Sequence, residues 1–189
     1  RRIDEAFPVE LREVTNEQEM FIRFLNGATW QVIGSDTYDS LVGAGVAGIV
    51  FSEWALANPS AWGYLSPMMR ENNGWALFIT TPRGKNHAYD MFNHATKSDD
   101  WYAEISNAQA TGAFSDEQLV GIRDEYVALY GKDFGASQFE QEYLCSFEAN
   151  ILGSYYGGEL ASARSEGRIC AVKHDPDLPV QTVWDIGYS

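Results

Sequence analysis

No phosphate-cradling GxxxxGK[ST] signature occurs in these 189 residues, and no Cys-x-x-Cys or Cys/His cluster either; Cys145 and Cys170 stand apart. The first absence removes the usual loop that wraps a bound nucleotide's phosphates. The second leaves no structural zinc site or disulfide framework and fits a reducing compartment. Basic residues are scarce: 13 Lys and Arg face 27 Asp and Glu, for a net charge of −14 and a pI near 4.4. Composition therefore predicts no general affinity for nucleic acid, and any DNA contact needs a local basic groove. No apolar run is long enough to span a bilayer and no basic-then-apolar leader opens the chain, which predicts a soluble intracellular protein with no membrane partner. Repeats and low-complexity tracts are missing. Both ends, Arg1 and Ser189, read as cut.

What is present is apolar and aromatic: 45% hydrophobic and 14% aromatic residues describe a folded chain. Its length allows one good core, or one domain and part of another. The stretch Gly48-Ile49-Val50-Phe51-Ser52-Glu53 organises the rest. An apolar, β-branched run ending in a polar pair reads as a buried parallel strand that delivers an acid to its carboxyl end, where ligands bind in open α/β sheets. Glu53 is there placed to orient a water or a metal beside a phosphate.

Around it the chain reads as follows. Asn26-Gly27 between Phe21–Leu25 and Ala28–Ile33 predicts a hairpin closed by a type I′ turn. Asn58-Pro59 starts a helix carrying Trp62, Leu65 and Met69 on one side, with Pro67 as a point of kinking or splitting. Trp75–Ile79 is a second short strand, ending in Thr80-Thr81-Pro82-Arg83-Gly84-Lys85. Strand, helix, strand is a βαβ unit, so the Ser52-Glu53 and Thr80-Thr81 ends are expected side by side. A helix spans 87–96, with His87 and His94 two turns apart, too far to chelate as an i, i+4 pair and better explained by packing. A strand is expected at 101–105, then a helix from the capping box Ser115-Asp116-Glu117-Gln118 to Tyr130, and another over 137–143. Gly153–Gly158 marks a domain boundary, followed by a short helix over 159–166 and a strand over 168–172. Asp185 lies inside an otherwise apolar final strand, Val180–Gly187, where an unpaired carboxylate is costly.

Taken in order, GIVFSEWA, WALFITTPRGKNHAY, FEQEYLCSFEANILGSYYGGEL and TVWDIGYS resemble the large subunit of tailed-bacteriophage terminases. The resemblance implies an α/β chain: the later part of a RecA-like ATPase domain, mostly parallel sheet with flanking helices, over 1–150, and the beginning of an RNase H-like nuclease domain over 151–189. It implies a motor that uses ATP and Mg²⁺ to drive double-stranded viral DNA into the procapsid, and cuts it with Mg²⁺ or Mn²⁺. Its partners would be the portal protein, the small terminase subunit and further copies in a ring, in the cytoplasm of the bacterial host. By resemblance Glu53 is the water-activating glutamate of the Walker B strand. Ser52 stands where that strand normally has its magnesium-holding Asp, and its hydroxyl supplies no charge. Thr80 and Thr81 fall on the nucleotide-sensing coupling motif, and Asp185 on the first metal-binding carboxylate of the nuclease. Arg83 and Lys85 are the candidates for DNA or phosphate contact. With the phosphate loop and later nuclease carboxylates absent, the chain is expected to be inactive alone and to leave apolar sheet surface uncovered. Two other readings stand beside this one: a non-catalytic α/β module docking a portal or small-subunit partner, and a self-sufficient metal nuclease built on Asp185.

Overall fold

A computed structural model describes residues 2–41, 45–148, 156–171, 173, 176–177 and 179. A short helix, α1 (Arg2–Ala6), leads into an antiparallel meander of β1 (Arg12–Asn16), β2 (Phe21–Phe24) and β3 (Thr29–Gln31). The predicted hairpin is present, with Ile22 opposite Trp30 and Arg23 opposite Thr29. Its turn is not type I′. Only Gly27 has a positive φ, 84°, while the Gly27 amide donates to the Phe24 carbonyl and the Phe24 amide to that of Ala28. This is a three-residue loop closed by a left-handed glycine. Strand β1 is not legible in REVTN, whose middle three residues are exposed and show no period-2 apolar signal.

The parallel unit consists of β4 (Gly48–Ser52), α2 (Ser60–Glu71) and β5 (Trp75–Ile79), with β4 and β5 paired from Gly48 opposite Trp75 to Ser52 opposite Ile79. The helix starts one residue later than expected: Pro59, at φ −62° and ψ −23°, is its N-cap and not its first residue, and Asn58 Oδ1 accepts the Ser60 amide at 2.9 Å from just outside it. Pro67 removes one backbone donor, yet α2 runs unbroken to Glu71. At Gly74 the chain returns so closely that an added Cβ would lie 2.7 Å from the Ala47 carbonyl oxygen. Phe51, Trp54, Ala55, Ala57, Ala61, Leu65 and Ala88 form the core, with the Phe51 and Phe78 rings stacked at 4.8 Å. Strand β4 is less buried than expected. Only Phe51 is inside, and Val50 on β4 and Trp75, Leu77 and Ile79 on β5 remain about half exposed.

Beyond β5 come α3 (His87–Ala95), α4 (Ala108–Thr111), α5 (Asp116–Tyr130) and α6 (Lys132–Leu144). The capping box is complete: Gln118 N donates to Ser115 Oγ, and Ser115 N to Gln118 Oε1. Gly131, at φ 85°, ends α5. Helix α6 begins five residues before the predicted Ser137, because Gly135 lets it pass over the Tyr126 backbone where a side chain would overlap. The strand expected at 101–105 is not formed. These residues line a cleft of about 1110 Å³ together with Trp75–Thr80, instead of hydrogen-bonding to β5. The chain divides into two units, Arg1–Ala149 and Asn150–Ser189; the second contains α7 (Gly157–Ser165), near the helix expected there. Residues 168–171 form no strand, and Val172 and Asp185 lie outside the described residues. No described helix is long and apolar enough to cross a membrane.

Candidate active site

The parallel register brings the ends of β4 and β5 together as the βαβ reading requires: Ser52 is opposite Ile79, so Glu53 and Thr80 leave the sheet side by side. Ser52 and Glu53 are both exposed. Glu53 sits at φ 54° and ψ 48°, a left-handed conformation that costs a non-glycine residue about 1–3 kcal/mol and persists only where the surroundings over-determine it.

What over-determines it is visible. The chain turns through one 3₁₀ turn, Trp54–Leu56, in which Leu56 N donates to the Glu53 carbonyl at 2.9 Å and Ala57 N to the Trp54 carbonyl at 3.0 Å. Trp54, 2% exposed, anchors the turn against Phe51, Phe78 and His87, with ring centroids 4.9, 5.1 and 4.9 Å away. From the segment after β5, Thr80 Oγ1 accepts the Ala55 amide at 2.9 Å and Asn86 Nδ2 donates to the Ala55 carbonyl at 2.9 Å. His87 Nε2 lies 2.8 Å from the Trp54 carbonyl, which can only accept, so that nitrogen carries the proton. Thr80 in turn donates to the Thr81 carbonyl at 3.0 Å, leaving its hydroxyl committed to the turn. Thr81 is half-buried beside it.

Arg83 and Lys85 are not free cations. Arg83 meets Glu142 and Lys85 meets Glu148, each at 2.5 Å, and Lys85 also stands 5.6 Å from the Tyr89 ring. Both pairs reach from the turn after β5 to α6 and the residues just beyond it. Cys145, near Glu142, has its thiol pushed up, first by burial and then by the Glu142 charge, which suits an inert side chain. His94, on the exposed side of α3, contacts the Trp101 ring at 5.9 Å. Among the described residues no group of three His, Cys, Asp or Glu side chains could cage a metal ion.

An exposed acid at the end of a parallel strand, braced by the hydroxyl of the neighbouring strand end, is an arrangement suited to orienting a nucleophilic water. Against this geometry, the family model described as "Terminase large subunit, T4likevirus-type, N-terminal" matches residues 3–162. The chain belongs to the terminase large-subunit family. Among solved structures, it is similar to an arginine-to-alanine mutant of the large terminase ATPase domain from Thermus phage P74-26. The two share 22% identity at a TM-score of 0.56, over 77% of this chain and 67% of that one. That likeness is one of fold: the mixed α/β, RecA-like arrangement of a terminase ATPase domain. No curated protein sequence matches the chain.

Sequence reasoning missed the part played by Asn86 and His87 at the ends of β4 and β5. A signal for Asn86 was present, since an Asn just before a helix is a cap. Its Oδ1 does accept the Ala88 amide at 3.0 Å. Nothing in the string shows that its other end holds the turn behind Glu53.

Proposed function

We propose that this chain carries the hydrolytic end of a DNA-packaging ATPase, with Glu53 as the acid that orients the attacking water and takes its proton. The observation that carries this reading is the strained Glu53 backbone at the shared end of β4 and β5, bonded through its turn to Thr80. Strain held in place by several outside contacts is characteristic of sites where a side chain must be aimed. Ser52 supplies a hydroxyl beside it, and Thr80 and Thr81 link the acid to the segment that runs on into α3.

The donor set fits Mg-ATP in one way. A single carboxylate with neighbouring hydroxyls suits Mg²⁺ that keeps much of its water and relies on phosphate oxygens, and does not suit an all-protein cage. When bound, Mg-ATP supplies the phosphoryl group and the charge that neutralises it. Ser52 would hold metal-bound water, while Thr81 senses the nucleotide. Thr80, its hydroxyl committed to Ala55 and Thr81, holds the turn.

Family membership supports the wider reading. In it, residues 1–150 belong to the ATPase domain and 151–189 begin an RNase H-like endonuclease in which Asp185 binds Mg²⁺ or Mn²⁺. The parent subunit moves double-stranded viral DNA into the procapsid as a ring of copies docked on the portal protein, is supplied by the small terminase subunit, and acts in the bacterial cytoplasm. The chain alone is inactive in both reactions. A DNA role for Arg83 and Lys85 has to draw on cations already shared with Glu142 and Glu148.

The test is Mg-ATP turnover by the complete large subunit with Glu53→Gln beside it. Removing a general base costs about 10²–10⁴ in rate, so the mutant should bind nucleotide and barely hydrolyse it. Wild-type turnover by the mutant would show that Glu53 is not the catalytic acid and serves the turn structurally.

A further inference from the structure

We infer that Asn86 and His87 are positioning residues for Glu53, acting on the hydrolytic rate through the backbone of the turn that follows the acid. This rests on the reading of Glu53 given above, and it adds two residues that touch neither the acid nor any reacting atom.

The geometry is specific. Glu53 can stay left-handed only if the next residues are held, and the outside hydrogen bonds described for Trp54–Leu56 come from Thr80, Asn86 and His87. Both backbone groups of Ala55 are used, the amide by Thr80 and the carbonyl by Asn86, and the Trp54 carbonyl takes His87. Asn86 is bifunctional: its Oδ1 caps α3 at Ala88 while its Nδ2 holds Ala55. Two atoms of one amide therefore fix the start of α3 relative to the catalytic turn. His87 also sets its ring perpendicular to that of Trp54, in a T-shaped contact at 4.9 Å. A shift in the first turn of α3 would reach Glu53 through these two side chains without any contact to the nucleotide. Misplacement of a catalytic group by about 1 Å is enough to cost about 10²-fold in rate.

The bifunctional amide makes a clean test possible. In Asn86→Asp the cap survives, since Asp caps a helix as well as Asn, but the donor to Ala55 is lost and a carboxylate oxygen faces a carbonyl. We expect kcat for ATP hydrolysis by the complete subunit to fall about 10- to 100-fold, further than the loss of folded protein in a thermal melt accounts for, with KM for ATP close to wild type. His87→Phe, which keeps a ring against Trp54 and loses the donor, should act in the same direction, and His87→Gln, which restores an N–H, should recover part of the rate; this pair carries the test if Asn86→Asp does not fold. Unchanged kcat in folded Asn86→Asp and His87→Phe would overturn the inference. So would a fall in kcat that merely tracks loss of melting temperature and rise of KM, the signature of a structural role. Glu53→Gln, measured in parallel, separates the two levels. If it hydrolyses ATP normally, the catalytic reading itself fails; if it is dead while Asn86→Asp is fully active, only the positioning claim fails.

Discussion

Met20 and Glu53 share an unusual backbone, φ 48° and 54° on residues that are not glycine, and are held in it by different means. Met20 lies in the turn between β1 and β2, where Asn16 Oδ1 accepts the amides of Gln18 and Glu19 and the Met20 carbonyl receives the Val32 amide from just beyond β3. Its restraints are those of a tight surface turn, and its side chain is 59% exposed. The turn after Glu53 is held by side chains 25, 31 and 33 residues away from the groups they bind, over a buried tryptophan. The same conformation is local economy in one place and imposed from a distance in the other. Distant, redundant bracing sets Glu53 apart, whereas Met20 reverses the chain within a surface turn.

The comparison breaks most visibly at one tryptophan from each region. Trp54→Ala should destabilise the protein by about 3–5 kcal/mol in a denaturant titration, because it empties the centre of the ring cluster formed with Phe51 and Phe78. Trp30→Ala, on the half-exposed meander where Trp30 contacts Phe7, should cost about 1–2 kcal/mol. Equal losses would mean that the two regions are not differently anchored.

Replacing each left-handed residue by glycine sharpens the contrast. Met20→Gly and Glu53→Gly should each relieve backbone strain and stabilise by up to about 1 kcal/mol, glycine's extra unfolded-state entropy offsetting part of the gain. Their functions should diverge. Met20→Gly is expected to leave ATP turnover intact and Glu53→Gly to abolish it, which a thermal melt and a phosphate-release assay on the same samples would show.

The smallest effect belongs to the ion pairs that tie the turn after β5 to α6. Arg83→Ala should cost at most about 1 kcal/mol in the same titration, because both partners of Arg83–Glu142 are partly exposed, at 36% and 28%, and screened by solvent. A larger loss would show that the link from the β5 turn to α6 is structural to the site.

Much of this was legible in the sequence because it is written locally. The GIVFSE and WALFI runs, the Asn58-Pro59 start and the Ser115–Gln118 box each contain their own physical instruction, and each element formed where that instruction lies. The hairpin was legible but its turn type was not, since Asn-Gly accommodates either one or two positive φ values and the pairing of Phe24 with Ala28 decides. Strand β1 and the unpaired stretch at 101–105 failed in opposite directions for one reason: strand formation depends on a neighbour that single-sequence periodicity does not show. At the site, the type and place of Glu53, Ser52 and Thr80 could be anticipated from strand ends. The left-handed turn and its grip by Asn86 and His87 could not, because those bonds join residues some thirty positions apart. Arg83 and Lys85 looked like free cations for the same reason, their acidic partners lying on and just beyond α6.

The most direct test is ATP hydrolysis by the complete large subunit in three forms, wild type, Glu53→Gln and Thr80→Val, with nucleotide affinity measured separately. Thr80→Val keeps shape and removes the acceptor for the Ala55 amide. The account predicts that Glu53→Gln loses turnover while still binding nucleotide and that Thr80→Val loses a substantial part of it through kcat. Wild-type turnover in Glu53→Gln would contradict it.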